Sequence, residues 1–265
     1  MQSHLSGTDL LNALESGEVR AAEPAGDGWA VNAWVKQGIL DIFRTTDIVP
    51  QGVELAGDPR EPARLAFRDK EPFLVRRFGA QDDVRLVPGG SAVRRGTYVG
   101  PGVVCMPPMY INVGAFVGAG SMIDSHALVG SCAQVGEGVH VSAAAQIGGV
   151  LEPAGARPVI IEDNAFVGGN CGVYEGVLVG RGAVLAAGVV LASGTVVHDL
   201  VNQRELSGAG DHPLEIPAGA VVIPGTRPLS SEYAQQKGLA AACALIVKYR
   251  DERTDAATAL EQALR

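Results

Sequence analysis

The stretch MYINVGAFVGAGSMIDSHALVGSCAQVGEGVHVS, residues 109–142, places an aliphatic residue at every sixth position: Ile111, Val117, Ile123, Val129, Val135 and Val141. The series extends upstream through Val93, Val99 and Cys105, and downstream to Ile147. After an interruption it resumes at Ile161 and runs through Val167, Val173, Val179, Leu185 and Leu191 to Val197. A short fixed period sustained from 93 to 197 is the mark of a β-solenoid.

The other positions say how the coil turns. Four residues after each aliphatic the chain is small or β-branched, as at Ala115, Ser121, Ala127 and Val139. One large and one small inward residue suit a narrow interior. Three residues after the aliphatic comes Gly or Asn in most repeats, for example Gly114, Gly138 and Asn164. These residues enter positive φ cheaply and read as corners. Three hexapeptides then make one triangular coil. At about 4.8 Å per coil the prism is roughly 27 Å long, and each coil hydrogen-bonds to the next.

Composition sets the class. A chain of 265 residues can bury a substantial core. Although 47% of it is hydrophobic, no apolar run reaches membrane-spanning length. The opening MQSHLSGTDLLNALESGEVR lacks the basic and apolar regions of a secretory signal. These features predict a cytoplasmic protein. A net charge of −8 without a Lys/Arg cluster argues against nucleic acid as a partner. Cys105, Cys132, Cys171 and Cys243 show no C-x-x-C spacing and read as reduced thiols.

Three segments follow. Residues 1–88 form an N-terminal domain of mixed character, with helices ending near Ser16 and spanning GWAVNAWVKQGILDIFRTTD (28–47), then a loop marked by Pro50, Gly52, Gly57 and Pro59. Residues 89–224 form the solenoid, interrupted by LEPAGARP (151–158) and DLVNQRELSGAGDHPLE (199–215) and closed by IPAGAVVIPG (216–225). Residues 225–265 form a cap, with a strand at Ala240–Tyr249 and a helix at Glu252–Leu264, because an uncovered last coil is an unpaired edge.

The hexapeptide pattern resembles the left-handed parallel β-helix of acyltransferases that use acyl-CoA donors, usually as trimers; the handedness is implied by that resemblance alone. The stretch at 109–142, IGGVLEP (147–153) and IIEDNAFVGGNCGVYEGVLVG (160–180) make it more specific. With WVKQGILDIFR, RLVPGG, IPAGAVVIPGT and CALIVKYR, they resemble the 2,3,4,5-tetrahydropyridine-2,6-dicarboxylate N-succinyltransferase family. The resemblance implies succinyl transfer from succinyl-CoA to the amine of the ring-opened acceptor in lysine and diaminopimelate biosynthesis. It also implies a homotrimer with sites between subunits and no required metal. An N-acetyltransferase of the same acceptor is the alternative.

Such chemistry needs a carboxylate base for the attacking amine, a preorganised donor for the oxyanion, and Arg for the acceptor's carboxylates. Glu175, beside the corner Gly176, matches the family's VEG-type motif and is the preferred base. Asp124 occupies a position where seven of the seventeen repeats have Gly, and reads as a contact to the amine or as the base; a corner Asp bonding its own backbone is the plain reading. Arg85 matches a substrate-binding Arg, whereas Arg44 and Arg157 are weaker clamps and are not assigned. Gly168, Ala187, Gly188 and Ser193 are the candidates for CoA contact along the prism, with Lys248 near the adenine end. Asp124 belongs to the sixth repeat and Glu175 to the thirteenth. Seven is not a multiple of three, so they fall on different edges and share a site only across a subunit interface.

Two other classes use the same solenoid. A zinc carbonic anhydrase needs three converging imidazoles; of His4, His126, His140, His198 and His212, His126 and His140 occupy different positions of the repeat and so point in different directions from the coil. A non-catalytic scaffold needs none of the residues above.

Overall fold

A computed structural model describes residues 5–26, 28–54, 64–208 and 212–250. Its centre is the prism that the six-residue period dictates. Two-residue rungs form three parallel sheets, visited in a fixed order. The first sheet includes Met122–Ile123, His140–Val141, Phe166–Val167 and Val184–Leu185. The second includes Gln146–Ile147, Gly172–Val173 and Val190–Leu191, and the third Phe116–Val117, Ile160–Ile161 and Leu178–Val179.

In each rung the second residue points inward. Ile123, Val141 and Val167 stack in register from coil to coil and are fully buried. Truncating one such Ile to Ala costs about 2–5 kcal/mol. Ser121, buried among them, is satisfied: its hydroxyl donates to the Gly136 carbonyl at 2.9 Å and accepts from the Val139 N–H at 3.0 Å. Coil geometry also overrides residue preference at corners. His126, Cys132 and Ala144 adopt the left-handed conformation that Gly114 and Gly138 adopt, at about 1–2 kcal/mol each.

Pairing extends the prism to Arg85–Leu86, which lies beside Val104–Cys105, upstream of position 89. At the other end Val197 departs from the repeat. Its side chain is buried, but Val197–Asp199 pairs antiparallel with Arg204–Leu206 and parallel with Ala240–Tyr249. The third-sheet place above Leu178–Val179 is filled instead by Glu215–Ile216. The corner keeps its closing bond, Thr195 N–H to the Ala192 carbonyl at 3.0 Å, but Gly194 has no positive φ and the Ala192 N–H, with no coil above it, donates to Thr195 Oγ1; beyond this corner the chain leaves the prism. The first sheet then closes with Ala220–Pro228, capped by the expected strand Ala240–Tyr249 running antiparallel. The expected helix Glu252–Leu264, and His4, lie outside the described residues.

The N-terminal segment differs from expectation in two places. The longer helix, α2 (Ala33–Thr45), begins only after Asn32, and Gly28–Val31 is a strand paired with Ala22–Ala25. Pro50 and Gly52 lie in the strand Ile48–Glu54, paired with Arg64–Lys70, not in a loop; in a two-stranded ribbon Pro50 forfeits no essential ladder bond. Helix α1 (Gly7–Ser16) and α2 pack Leu10, Leu11, Val35 and Ile39 against Val113 and Cys132. Those two prism residues lie on the edge between the second and third sheets, so the helices cover the lower part of that edge.

Candidate active site

Rung counting explains where the insertions emerge. LEPAGARP leaves after Gln146–Ile147, and the later excursion leaves after Val190–Leu191. Both are second-sheet rungs, so both insertions rise from the edge between the second and third sheets. The second-sheet rung between them, Gly172–Val173, carries Tyr174, Glu175 and Gly176 at its corner. The insertions wall an open cleft of about 1130 Å³ onto which Gly149, Pro153, Arg157, Tyr174, Glu175, Ser193 and His212 face.

Glu175 is exposed in this cleft with φ of 52°, and Gly176 follows with φ of 73°. A left-handed glutamate is costly, and such strain concentrates at functional positions. Ser193, at the equivalent corner one coil above, donates its hydroxyl and its backbone N–H (3.0 Å) to Glu175 Oε2. The two bonds, the hydroxyl's foremost, hold the carboxyl below its ordinary range. Both fall on one oxygen, which leaves Oε1 to take a proton.

The surroundings of the corner are closely fitted. A Cβ on Gly176 would lie 2.6 Å from the Arg157 carbonyl oxygen, and the positive φ excludes it independently. Arg157 Nε donates to the Gly176 carbonyl at 2.9 Å and Nη2 to the Pro213 carbonyl at 3.2 Å, while Nη1 pairs with Glu215. This guanidinium joins both insertions to the coil. The Tyr174 ring lies over Gly148 and Gly172, where any Cβ would come within 2.7 Å and 2.5 Å of it. It forms an aromatic wall beside Glu175.

The remaining candidates lie elsewhere. Asp124 follows Met122–Ile123 and sits at the edge between the first and second sheets. Its Oδ1 accepts the Ser125 N–H at 2.8 Å, the plain corner role, while Oδ2 faces His140 Nε2 at 3.8 Å. That buried nitrogen has no hydrogen-bond partner among the described residues. Arg85 is exposed on the first sheet, two strands below Met122–Ile123. Gly168, Ala187 and Gly188 share Asp124's edge, two and three coils above it. Gly168 is buried, and a Cβ there would meet the Ala187 nitrogen at 2.6 Å, so coil stacking alone demands glycine. Ala187 and Gly188 are exposed. Lys248, half-buried, pairs with Val221 beyond that edge's last coil. Ser193 is separated from the other CoA candidates and stands beside Glu175. Among the described residues no three His, Cys, Asp or Glu side chains come together as a metal site, and no helix is long and apolar enough to cross a membrane.

Two family profiles match this chain: one described as the N-terminal region of tetrahydrodipicolinate N-succinyltransferase, over 8–45, and one as the hexapeptide repeat of succinyl-transferase, over 158–193. The second interval contains both Glu175 and Ser193. The 2,3,4,5-tetrahydropyridine-2,6-dicarboxylate N-succinyltransferase of Methylorubrum extorquens is 42% identical over 97% of this chain and 88% of its own length. The chain belongs to the tetrahydrodipicolinate N-succinyltransferase family. The protein of the same description from Nitrobacter hamburgensis is also 42% identical, over 96% of this chain and 87% of that one. A solved Campylobacter jejuni structure described as a 2,3,4,5-tetrahydropyridine-2-carboxylate N-succinyltransferase covers 98% of this chain and 65% of that one, at 15% identity and a TM-score of 0.48. Membership makes the chain an acyl-CoA-dependent acyltransferase on a left-handed parallel β-helix.

Sequence reasoning missed Tyr174 and the structural roles of Arg157 and Lys36. A signal for the first two was present. The aliphatic positions 147, 173 and 191 are the tenth, thirteenth and sixteenth of the series, each three apart, and therefore on one edge. For Lys36 there was no such signal, because a lysine in an amphipathic helix ordinarily reads as solvated.

Proposed function

We propose that this protein transfers the succinyl group of succinyl-CoA to the amine of ring-opened tetrahydrodipicolinate, with Glu175 as general base, in sites formed between the subunits of a homotrimer. The observation that carries this reading is Glu175 itself: a strained, exposed carboxylate lining the cleft on the coil corner flanked by both insertions, with Oε2 held by Ser193.

The chemistry follows from that geometry. The acceptor's ammonium must lose a proton before its nitrogen can attack a thioester. Glu175 takes the proton on Oε1, the neutral nitrogen adds to the succinyl carbonyl, and the tetrahedral adduct collapses to the amide. As the adduct collapses its nitrogen gives up the remaining extra proton, and the CoA sulfur leaves with the bonding pair and takes up a proton, so the acyl group passes directly to nitrogen and no acyl-enzyme forms. A positioned base of this kind is worth about 10²–10⁴ in rate.

Asp124 and Arg85 serve the acceptor from a neighbouring prism. Along the prism axis Asp124 and Glu175 are seven rungs apart, about 11 Å at ~4.8 Å per coil. In a cyclic trimer with parallel axes, that offset suits a seven-carbon acceptor with charged groups at both ends better than two bases competing for one proton. Arg85 supplies the bidentate donor for a carboxylate. The CoA arm lies along the exposed corner of Ala187 and Gly188, with Lys248 towards its phosphate-bearing end.

The test is CoA-thiol release with tetrahydrodipicolinate as acceptor and either succinyl-CoA or acetyl-CoA as donor. Acceptor-dependent release that favours succinyl-CoA is expected. A preference for acetyl-CoA would overturn the donor assignment, and silence with both would overturn the reaction.

A further inference from the structure

Lys36 is the largest fully buried side chain among the described residues that carries a charge, and the mechanism above does not use it. It lies on the inner face of α2 between Val35 and Ile39, where an aliphatic residue would complete the apolar packing. Its ammonium donates to the Pro153 carbonyl at 3.1 Å and to the Ala156 carbonyl at 2.7 Å. Burial holds its pKa below the ordinary lysine value, an effect partly offset by Cys132. Burying an ammonium is expensive unless its donors are used, and a charge kept under that penalty more often secures one geometry than overall stability.

What it secures is the wall of the cleft. Residues 151–158 form no rung, and their internal backbone support is a single turn, Ala156 N–H to the Pro153 carbonyl at 3.0 Å. Leu151 packs onto the α1–α2 cluster, and Arg44 of α2 reaches Glu152 at 3.7 Å, an exposed pair of small value. The two Lys36 bonds are thus the main polar hold on the loop's middle. The loop's next residue, Arg157, donates to the Gly176 carbonyl, one peptide beyond Glu175.

We infer that Lys36 is a positioning residue for the catalytic corner, acting through Pro153, Ala156 and Arg157 to hold the Glu175–Gly176 turn in its left-handed conformation. The N-terminal helices, on this reading, are a buttress of the active site and not only a cover for the prism. The inference rests on the assignment of Glu175 as base.

The experiment is a mutant cycle on the full chain, using Lys36→Met, Glu175→Gln and the double variant. Circular dichroism, oligomer mass and succinyl-CoA affinity are measured beside kcat and its pH profile. Lys36→Met is expected to keep assembly and donor affinity, to lower kcat about ten- to a hundredfold, and to displace the acid limb of the profile, since a shift near 1 Å at a reacting group costs about that much. In the Glu175→Gln background the same change should lower the residual rate no further. A Lys36→Met enzyme with wild-type kcat and acid limb would overturn the inference alone, as would a full loss persisting in the Glu175→Gln background. A Glu175→Gln enzyme with near wild-type turnover would overturn the base assignment and this inference with it. If Lys36→Met does not fold, the same cycle is run with Arg157→Met, with the same outcomes deciding.

Discussion

Ser193 stands one coil above Glu175 on the same prism edge and gives a single carboxylate oxygen both its hydroxyl and its backbone N–H. Two donors on Oε2 favour the ionised carboxylate and leave Oε1 without either bond. The coil-on-coil stacking of the solenoid makes the pairing possible, because corners eighteen residues apart fall directly above one another.

Removing the carboxylate's basicity without its shape isolates its role. Glu175→Gln should lower kcat by about 10²–10⁴ while succinyl-CoA binding changes by less than about threefold. Titration calorimetry beside steady-state rates checks it. Loss of binding together with turnover would make the residue structural.

The Ser193 hydroxyl stabilises the ionised form, so its loss must raise the Glu175 pKa. A base whose pKa rises is protonated at higher pH. The acid limb of kcat against pH in Ser193→Ala should therefore move upward from the wild-type position, with the backbone N–H still limiting the change. A downward or absent movement would detach Ser193 from the base.

Sites built across an interface can be reconstituted from two dead parents. Equal mixing of Asp124→Asn and Glu175→Gln subunits, with unfolding and reassembly, should restore roughly a quarter of the wild-type sites, since each needs its Asp124 and its Glu175 from different intact subunits. Mixed trimers as inactive as the parents would place the two carboxylates in separate sites or remove one from catalysis.

Two corner glycines separate backbone strain from crowding. Gly188 has φ of 79° and nothing within 4 Å of where a Cβ would stand, whereas Gly176, with φ of 73°, would place one 2.6 Å from a carbonyl oxygen. Gly188→Ala should cost about 1–2 kcal/mol. Gly176→Ala should cost about 1–3 kcal/mol more, because the Arg157 backbone must move. Denaturant unfolding of both variants decides; equal losses would mean the loop yields freely.

Much of this was legible in the chain. Ile111, Val117, Ile123 and their successors specify a prism because a six-residue period admits one way to bury every aliphatic. The same count separated Asp124 from Glu175, and the motif around Glu175 marked it before any geometry was known. Val197 satisfied the period and still left the coil, because a buried valine is equally at home in the excursion strand that pairs with Arg204–Leu206. Gly28–Val31 continued the pattern of α2 but paired as a strand with Ala22–Ala25, a local ladder that periodicity does not register.

The sequence by itself determined the solenoid and its three-rung turn, because those depend on spacing along the chain, while Asp124 and Glu175 were singled out by the family resemblance. Only the tertiary structure decided that Ser193 serves Glu175, that Arg157 is tied to the Gly176 carbonyl, and that Lys36 is buried against the loop from 151 to 158. Each joins side chain and backbone across 18 to 120 residues of sequence. Such contacts arise where insertions and helices close over one prism edge, and no local pattern encodes how a loop without rungs comes to rest.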